Sequence, residues 1–296
     1  MEFTAQVVKE TSSLHGEGAL WDEQMQRLLW VDIHGQKVNV FDPVTGENVS
    51  VATGSHTGTV VPTRVKGRVA VALADSFAAL DLQTGKVETL AKADVGAARF
   101  NDGKADPAGR FWAGTMGYKG EEGAAKLFRL DTDLSVQTML TDVTISNGIV
   151  WAADHQTMFY IDTPTARVDA FDFDVATGAI ANRRIAVKIP EGIGHPDGMC
   201  TYTKGRLWIA MWGGSRVCYF DLRTSGELVH TVHTPGAEHS SACSLGGANL
   251  DELFITTSQA GVKKEAIAAG GKQPEAGRLF RVKVPAIGVN VFRFAG

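Results

Sequence analysis

Four places in the chain set an oxygen-bearing side chain directly before a glycine: Glu17-Gly18, Asp102-Gly103, Asn147-Gly148 and Asp197-Gly198. A single such pair is ordinary loop punctuation. Each of these, however, stands just ahead of a short run that reads as a strand: Ala19-Leu20-Trp21, Lys104-Ala105, Ile149-Val150-Trp151 and Met199-Cys200. Turn preference does not explain the recurrence, and it does not explain the presence of glutamate, a poor turn former. A Glu, an Asp and an Asn carboxamide brought to one point form a set of hard oxygen donors, with no thiolate and no paired imidazoles. That set suits Ca²⁺, Mg²⁺ or Mn²⁺, and holds Zn²⁺ or Fe²⁺ less selectively. Three protein ligands leave positions for water and substrate, the arrangement of a catalytic metal that polarises a carbonyl and acidifies a bound water. Arg99 and Asn101, in Arg99-Phe100-Asn101-Asp102-Gly103, are suited to hydrogen-bond the hydroxyls of a polar substrate.

Residues so far apart in sequence need a repeating scaffold to meet. A short alternating tetrapeptide recurs six times, at Leu29–Asp32, Arg68–Val71, Phe111–Gly114, Phe159–Asp162, Leu207–Ala210 and Leu253–Thr256. Successive copies are separated by about 39 to 48 residues, the period of a four-stranded propeller blade. A second landmark, Asp-x-x-Thr-Gly, follows at Asp42–Gly46, Asp81–Gly85 and Asp174–Gly178, with the longer Asp221–Gly226 and a degenerate form at Leu130–Asp133. In such a hairpin the aspartate caps the turn and the glycine takes positive φ. The expected fold is therefore all-β, a six-bladed β-propeller spanning residues 1–296 as one domain. The first strand of each blade lines the central channel, so the four polar residues, expected just before those strands, gather at one mouth. One stretch of helical composition, Lys263–Ala269, is expected as an insertion in the sixth unit. The alternating Phe3–Val7 is expected to close the ring against Arg278–Val282, since an open ring leaves sheet edges exposed.

The remaining features exclude several classes of function. Net charge is −4 over 296 residues with both signs dispersed, so there is no basic stripe for nucleic acid and no polybasic anchor for a membrane. The first residues lack a basic start and an apolar segment, and no long apolar run occurs, so a soluble, unexported protein is expected. Cys200, Cys218 and Cys243 are odd in number and lack metal spacing, which suits a reducing compartment, the cytoplasm. A small-molecule partner is expected. There is no Gly-x-Ser-x-Gly elbow and no phosphate-binding loop. His230 and His233, three apart on a strand, fall on opposite faces. Trp112, Trp151, Trp208 and Trp212 are expected in the core and the channel wall.

Several segments together resemble the gluconolactonase, senescence marker protein 30 and regucalcin family of six-bladed propellers: His15–Asp22, "RFNDGKADPAGRFWAGTM" at 99–116, "SNGIVW" at 146–151, "HPDGM" at 195–199, "LWIAMWGG" at 207–214 and "SSACSLGG" at 240–247. The resemblance implies metal-dependent hydrolysis of a sugar lactone to the aldonic acid. It places Glu17, Asn147 and Asp197 at the metal-ligand positions and Arg99 and Asn101 at substrate-binding positions. Asp197 also corresponds to the group that takes a proton from the attacking water, with Asp102 beside Asn101 as a second proton-handling group. Lys119 stands where the animal branch has a substrate-contacting glutamate, so the sugar preference does not transfer. His15 replaces the usual leucine and is expected to be a satisfied turn histidine rather than part of the metal shell. The competing functions are a metal-dependent esterase or phosphotriesterase on the same site, and a calcium-binding propeller without catalysis.

Overall fold

The computed structural model describes residues 1–8, 11–202, 206–224, 226–268 and 270–296. Its strands form six sheets of four or five strands, antiparallel but for one added edge strand, arranged as the blades of a β-propeller. The innermost strands are Gly16–Asp22, Thr59–Pro62, Ala98–Ala105, Ser146–Trp151, His195–Tyr202 and His239–Gly246 for blades 1 to 6. All six recurring tetrapeptides lie in the second strands, Arg27–Asp32, Arg68–Ala72, Phe111–Gly117, Thr157–Asp162, Arg206–Trp212 and Glu252–Ser258. Their apolar residues face both neighbouring blades, and Trp30, Trp112, Tyr160, Trp208 and Phe254 are all fully buried. Burying both faces of these strands supplies most of the inter-blade core.

The Asp-x-x-Thr-Gly landmarks join third to fourth strands. Asp42 Oδ1 accepts the Val44 and Thr45 N–H groups, and Asp81 and Asp174 do the same for the residues two and three ahead. Gly46, Gly85, Gly178 and Gly226 take positive φ. Ser225 of the last turn lies outside the described residues. In the degenerate third turn, Leu134 itself adopts a φ of 69°, where glycine would be less strained. The insertion in blade 6 contains the short helix Lys264–Ile267, with Ala269 outside the described residues.

Ring closure departs from expectation in an informative way. Only Gln6–Val8 pairs antiparallel with Leu279–Lys283, as the outermost strand of blade 6. Glu2–Thr4 runs instead parallel to Glu227–His233, adding a fifth strand to blade 5. Ala5, buried between them, donates its N–H to the His233 carbonyl. His233 Nε2 lies 2.6 Å from Glu2 Oε2 and His230 packs on Phe3, so this histidine pair secures the N-terminal strand. At the other end, Val289–Phe292 line one end of the channel, Phe294 N donates to Pro62 O, and Ala295 N donates to Gly109 O. The C-terminal segment thus straps blades 2 and 3. Arg293 pairs with Asp22 and Glu23 and fixes the strap to blade 1. Among the described residues no helix is long and apolar enough to cross a membrane.

Removing residues 1–8 uncovers an edge on two blades at once. The expected cost is on the order of 3 kcal/mol or more, read as a lower urea midpoint, and an unchanged midpoint would rule out closure by this segment.

Candidate active site

The four polar-glycine pairs sit inside the innermost strands rather than ahead of them. Each coincides with a break in the strand ladder: Glu17 opposes Val31 but Leu20 opposes Leu29, Phe100 opposes Thr115 but Gly103 opposes Ala113, and the same skip occurs at 146/149 and 196/199. An extra residue on the inner strand makes a bulge, which re-aims side chains without ending the strand. Glycines on the inner strands, and Gly58 just ahead of one, leave room for the backbone of the next blade. A Cβ on Gly148 would lie 2.8 Å from Asp197 O, one on Gly198 2.9 Å from Ser241 O, and one on Gly58 2.5 Å from Asn101 O. They let neighbouring inner strands touch around the axis. Only Gly18 needs positive φ, at 57°.

These contacts bring Glu17 of blade 1, Arg99, Asn101 and Asp102 of blade 3, Asn147 of blade 4 and Asp197 of blade 5 to one mouth of the channel, all of them buried. Anchors outside the site set the approach of two of the strands. Asp32, closing the second strand of blade 1, accepts the N–H groups of Leu14 and His15, each at 3.0 Å. Asp162 does the same in blade 4 for Thr144 and Ile145. Asn147 Nδ2 donates to Thr163 Oγ1 at 2.7 Å, and that hydroxyl donates on to Pro196 O, which turns the Asn147 carbonyl oxygen toward Asn101. Asn101 Nδ2 donates to Asn147 Oδ1 at 2.9 Å and to Ser146 O at 2.8 Å, while its Oδ1 accepts from Arg99 Nη1 at 2.8 Å. Both Asn101 N–H donors are therefore engaged, and Asn101 orients its neighbours. Arg99 also donates to Phe100 O and Met116 Sδ, which leaves guanidinium N–H groups for a ligand.

The carboxylates are held against their preference for water. Burial pushes Glu17 up to about 7. Burial also raises Asp197 well above the usual range, and the charges of Glu17 and Asp102 raise it further. Asp102 shifts upward for the same first reason. Asp102 Oδ2 and Asp197 Oδ1 are buried with no hydrogen-bond partner. Buried anions close enough to repel, with oxygens left unpaired, are the environment a divalent cation stabilises, so the donor set fits one. Among the described residues no three His, Cys, Asp or Glu side chains form a metal-holding group; a metal here would take two carboxylates and the Asn147 carboxamide.

A run of rings along the rim was not foreseen. Tyr118, His56, His34, His15, Trp212 and His239 follow one another at centroid distances of 5.9, 5.5, 4.9, 5.6 and 4.2 Å. His15 is not a satisfied turn residue: its Nδ1 has no partner, and its Nε2 lies 3.8 Å from Glu17 Oε1. Burial, then the Arg99 charge, pulls His15 down to about 3, and burial with the His15 charge pulls His34 to about 4. Both are neutral imidazoles at ordinary pH. The available signal was positional, since His15, His56, His195 and His239 stand at or within three residues of the start of an inner strand. Trp112, Trp151 and Trp208 are core residues as expected, whereas Trp212 is half-buried on this rim. Lys119 is exposed.

A propeller with acidic oxygen donors sunk into one end of its channel defines a recognisable class. The chain belongs to the SMP-30/gluconolactonase/LRE-like family, whose model matches residues 15–259. It is 41% identical to regucalcin of Danio rerio over 93% of this chain and 92% of that one. It is 35% identical over 97% of both chains to YvrE of Bacillus subtilis, provisionally named a sugar lactone lactonase. The structure of a calcium-binding protein, regucalcin, from Agrobacterium tumefaciens superposes with a TM-score of 0.91 at 24% identity, covering 99% of both chains, a likeness of fold.

The raised proton affinity of Glu17 has a definite sign in stability. From pH 4.5, its ordinary value, to about 7, the unfolded chain ionises this group while the folded protein keeps it protonated. The stabilisation is present below pH 4.5 and is lost as pH rises through 7, on the order of 3 kcal/mol. In chelator, urea unfolding at pH 5 and pH 8 should show a loss larger in the wild type than in Glu17→Gln by about that amount, since the raised Asp197 and Asp102 contribute to both; equal losses would contradict the shift.

Proposed function

We propose that the protein hydrolyses a sugar lactone to its aldonic acid with the help of one divalent cation held by Glu17, Asn147 and Asp197, the whole chain acting as one domain. The carrying observation is the pair of buried, unpartnered oxygens on Asp102 and Asp197 beside Glu17. YvrE, at 35% identity, supports the substrate class by its name. The bound cation would supply Lewis acidity toward the lactone carbonyl.

The protein's own groups do the rest. Asp197, with one free oxygen, takes a proton from the attacking water, and the elevated proton affinity imposed by burial suits it to that role. Asp102 Oδ2 is a second buried proton acceptor. Arg99 keeps N–H groups for ring oxygens or hydroxyls, and Asn101 holds both Arg99 and Asn147 in place, so its contribution is orientation. The neutral rings of His15 and His34 and the Trp212–His239 stack offer hydrogen-bonding edges and flat faces to a polyhydroxylated ring. Three free, buried cysteines fit a reducing cytoplasm.

Proton release in weak buffer with a panel of sugar lactones, using chelator-stripped protein and then single additions of Mg²⁺, Ca²⁺, Mn²⁺, Zn²⁺ or Fe²⁺, is expected to show turnover only after metal addition. Folded protein inert toward every lactone with every metal would overturn the proposal. Asp197→Ala should lose at least about a hundredfold in kcat, the scale of a general base, with its circular dichroism unchanged. Near-normal turnover would remove Asp197 from that role. Glu17→Gln should weaken metal binding in calorimetric titration, and an unaltered isotherm would exclude Glu17 as a ligand.

A further inference from the structure

Two thiols meet where blades 5 and 6 touch. Cys200 lies on the inner strand His195–Tyr202 of blade 5, and Cys243 on the inner strand His239–Gly246 of blade 6. Their sulfurs are 3.8 Å apart. The two strands are packed directly together, since a Cβ on Gly198 would lie 2.9 Å from the Ala242 Cα. Cys243 donates its S–H to Trp208 O at 3.4 Å, which leaves its sulfur lone pairs free to face Cys200. Packing alone asks for small apolar side chains here and gives no reason for two sulfurs in contact. The pair also differs in access. Cys243 is fully buried, whereas Cys200 keeps 8% of its surface and lines a chamber of about 170 Å³ with Leu20, Val150, Leu245 and Phe292. Burial, then the neighbouring Cys200 sulfur, pushes the Cys243 thiol well above its usual range. A small oxidant in the channel therefore meets Cys200 first. Cys218 belongs to a different part of the core, among Val168, Ile209 and Phe220.

We infer that Cys200 and Cys243 are an oxidation site, closed by a hydroperoxide into a reversible disulfide that ties blade 5 to blade 6. The Cys200 sulfur attacks the peroxide O–O bond, takes one oxygen as a sulfenic acid and releases the other as water or an alcohol. The Cys243 sulfur then attacks the Cys200 sulfur, forming the S–S bond and expelling the sulfenic hydroxyl, which leaves as water with the Cys243 proton. In sum the two thiols lose two electrons and the hydroperoxide gains them. The sulfurs must close to about 2.05 Å, and with the strands already in contact this movement falls to rotation of the two side chains. A small-molecule thiol reverses the bond by exchange. In the unfolded chain the same bond spans 43 residues, which restricts that state and so favours the closed ring. The site does not depend on the lactonase reading.

The test uses the full-length protein, reduced and folded, and treated with hydrogen peroxide. Tryptic digestion under non-reducing conditions is expected to give one peptide pair joined through Cys200 and Cys243, and dithiothreitol is expected to separate it. The joined form should unfold at a higher urea concentration than the reduced form. Cys218→Ala should join the same pair, whereas Cys243→Ala should show no peroxide-dependent rise in its urea midpoint. Absence of the joined peptides, a link through Cys218, a link formed only in urea, or an unchanged midpoint in the joined wild type would overturn the assignment. If Cys243→Ala does not fold, the wild-type peptide map and midpoints decide.

Discussion

The arrangement rests on how closely neighbouring inner strands can approach one another around the channel axis. Carbonyl oxygens of one blade fill the space where the next blade's glycine lacks a Cβ, at Gly58 against Asn101, Gly148 against Asp197 and Gly198 against Ser241. The Ser241 hydroxyl then reaches Gly16 O at 2.5 Å and joins blade 6 to blade 1. Any larger side chain at those glycines would push blades apart and widen the mouth. Because Glu17, Asn147 and Asp197 sit at or beside the same bulges, the constraint that closes the ring is also the one that sets the distances between the functional oxygens.

That coupling places an unfavourable charge distribution inside a stable frame. The carboxylates are buried and mutually repulsive, while their backbones are held by groups remote from the channel. Asp32 and Asp162 fix the loops that lead into blades 1 and 4, and Thr163 ties Asn147 to the backbone of blade 5. The acids stay buried because the inner strands that carry them are packed against one another around the axis. Strain of this kind suits a group whose partner arrives from solution.

Much of this was legible in the sequence, for physical reasons. The second strands bury both faces, so their apolar runs stand out, and the aspartate-capped turns need particular residues at particular places. Glu17, Asp102, Asn147 and Asp197 were recognisable because an acid or amide followed by glycine recurs at one blade position, and Arg99 and Asn101 because they stand beside one of those pairs. What escaped depended on register. A bulge has no compositional mark beyond the glycine, so the four polar residues read as standing just ahead of the inner strands although they lie within them. The split of Glu2–Thr4 from Gln6–Val8 was hidden because both halves alternate alike, and only the buried Ala5 separates them. The ring-lined rim was invisible because Tyr118, His34 and Trp212 come from different blades and meet only once the ring exists. Asn101 looked like a donor to substrate, and its partners, all remote in sequence except Arg99, show that its donors are spent within the site.

The two-part N-terminal strand also bears on the order of assembly. Its partners are the last strand of blade 5 and the third strand of blade 6, more than 220 residues downstream, so the first eight residues can find their places only when almost the entire chain has left the ribosome. Until then blades 1 to 4 can pair internally but the circle stays open, with the flanks of blades 1 and 5 uncovered. Long-range closure of this kind is slow and exposes sheet edges while it waits. Synthesis of this protein should therefore end in one late, cooperative locking event, and that interval is when chaperones would matter most.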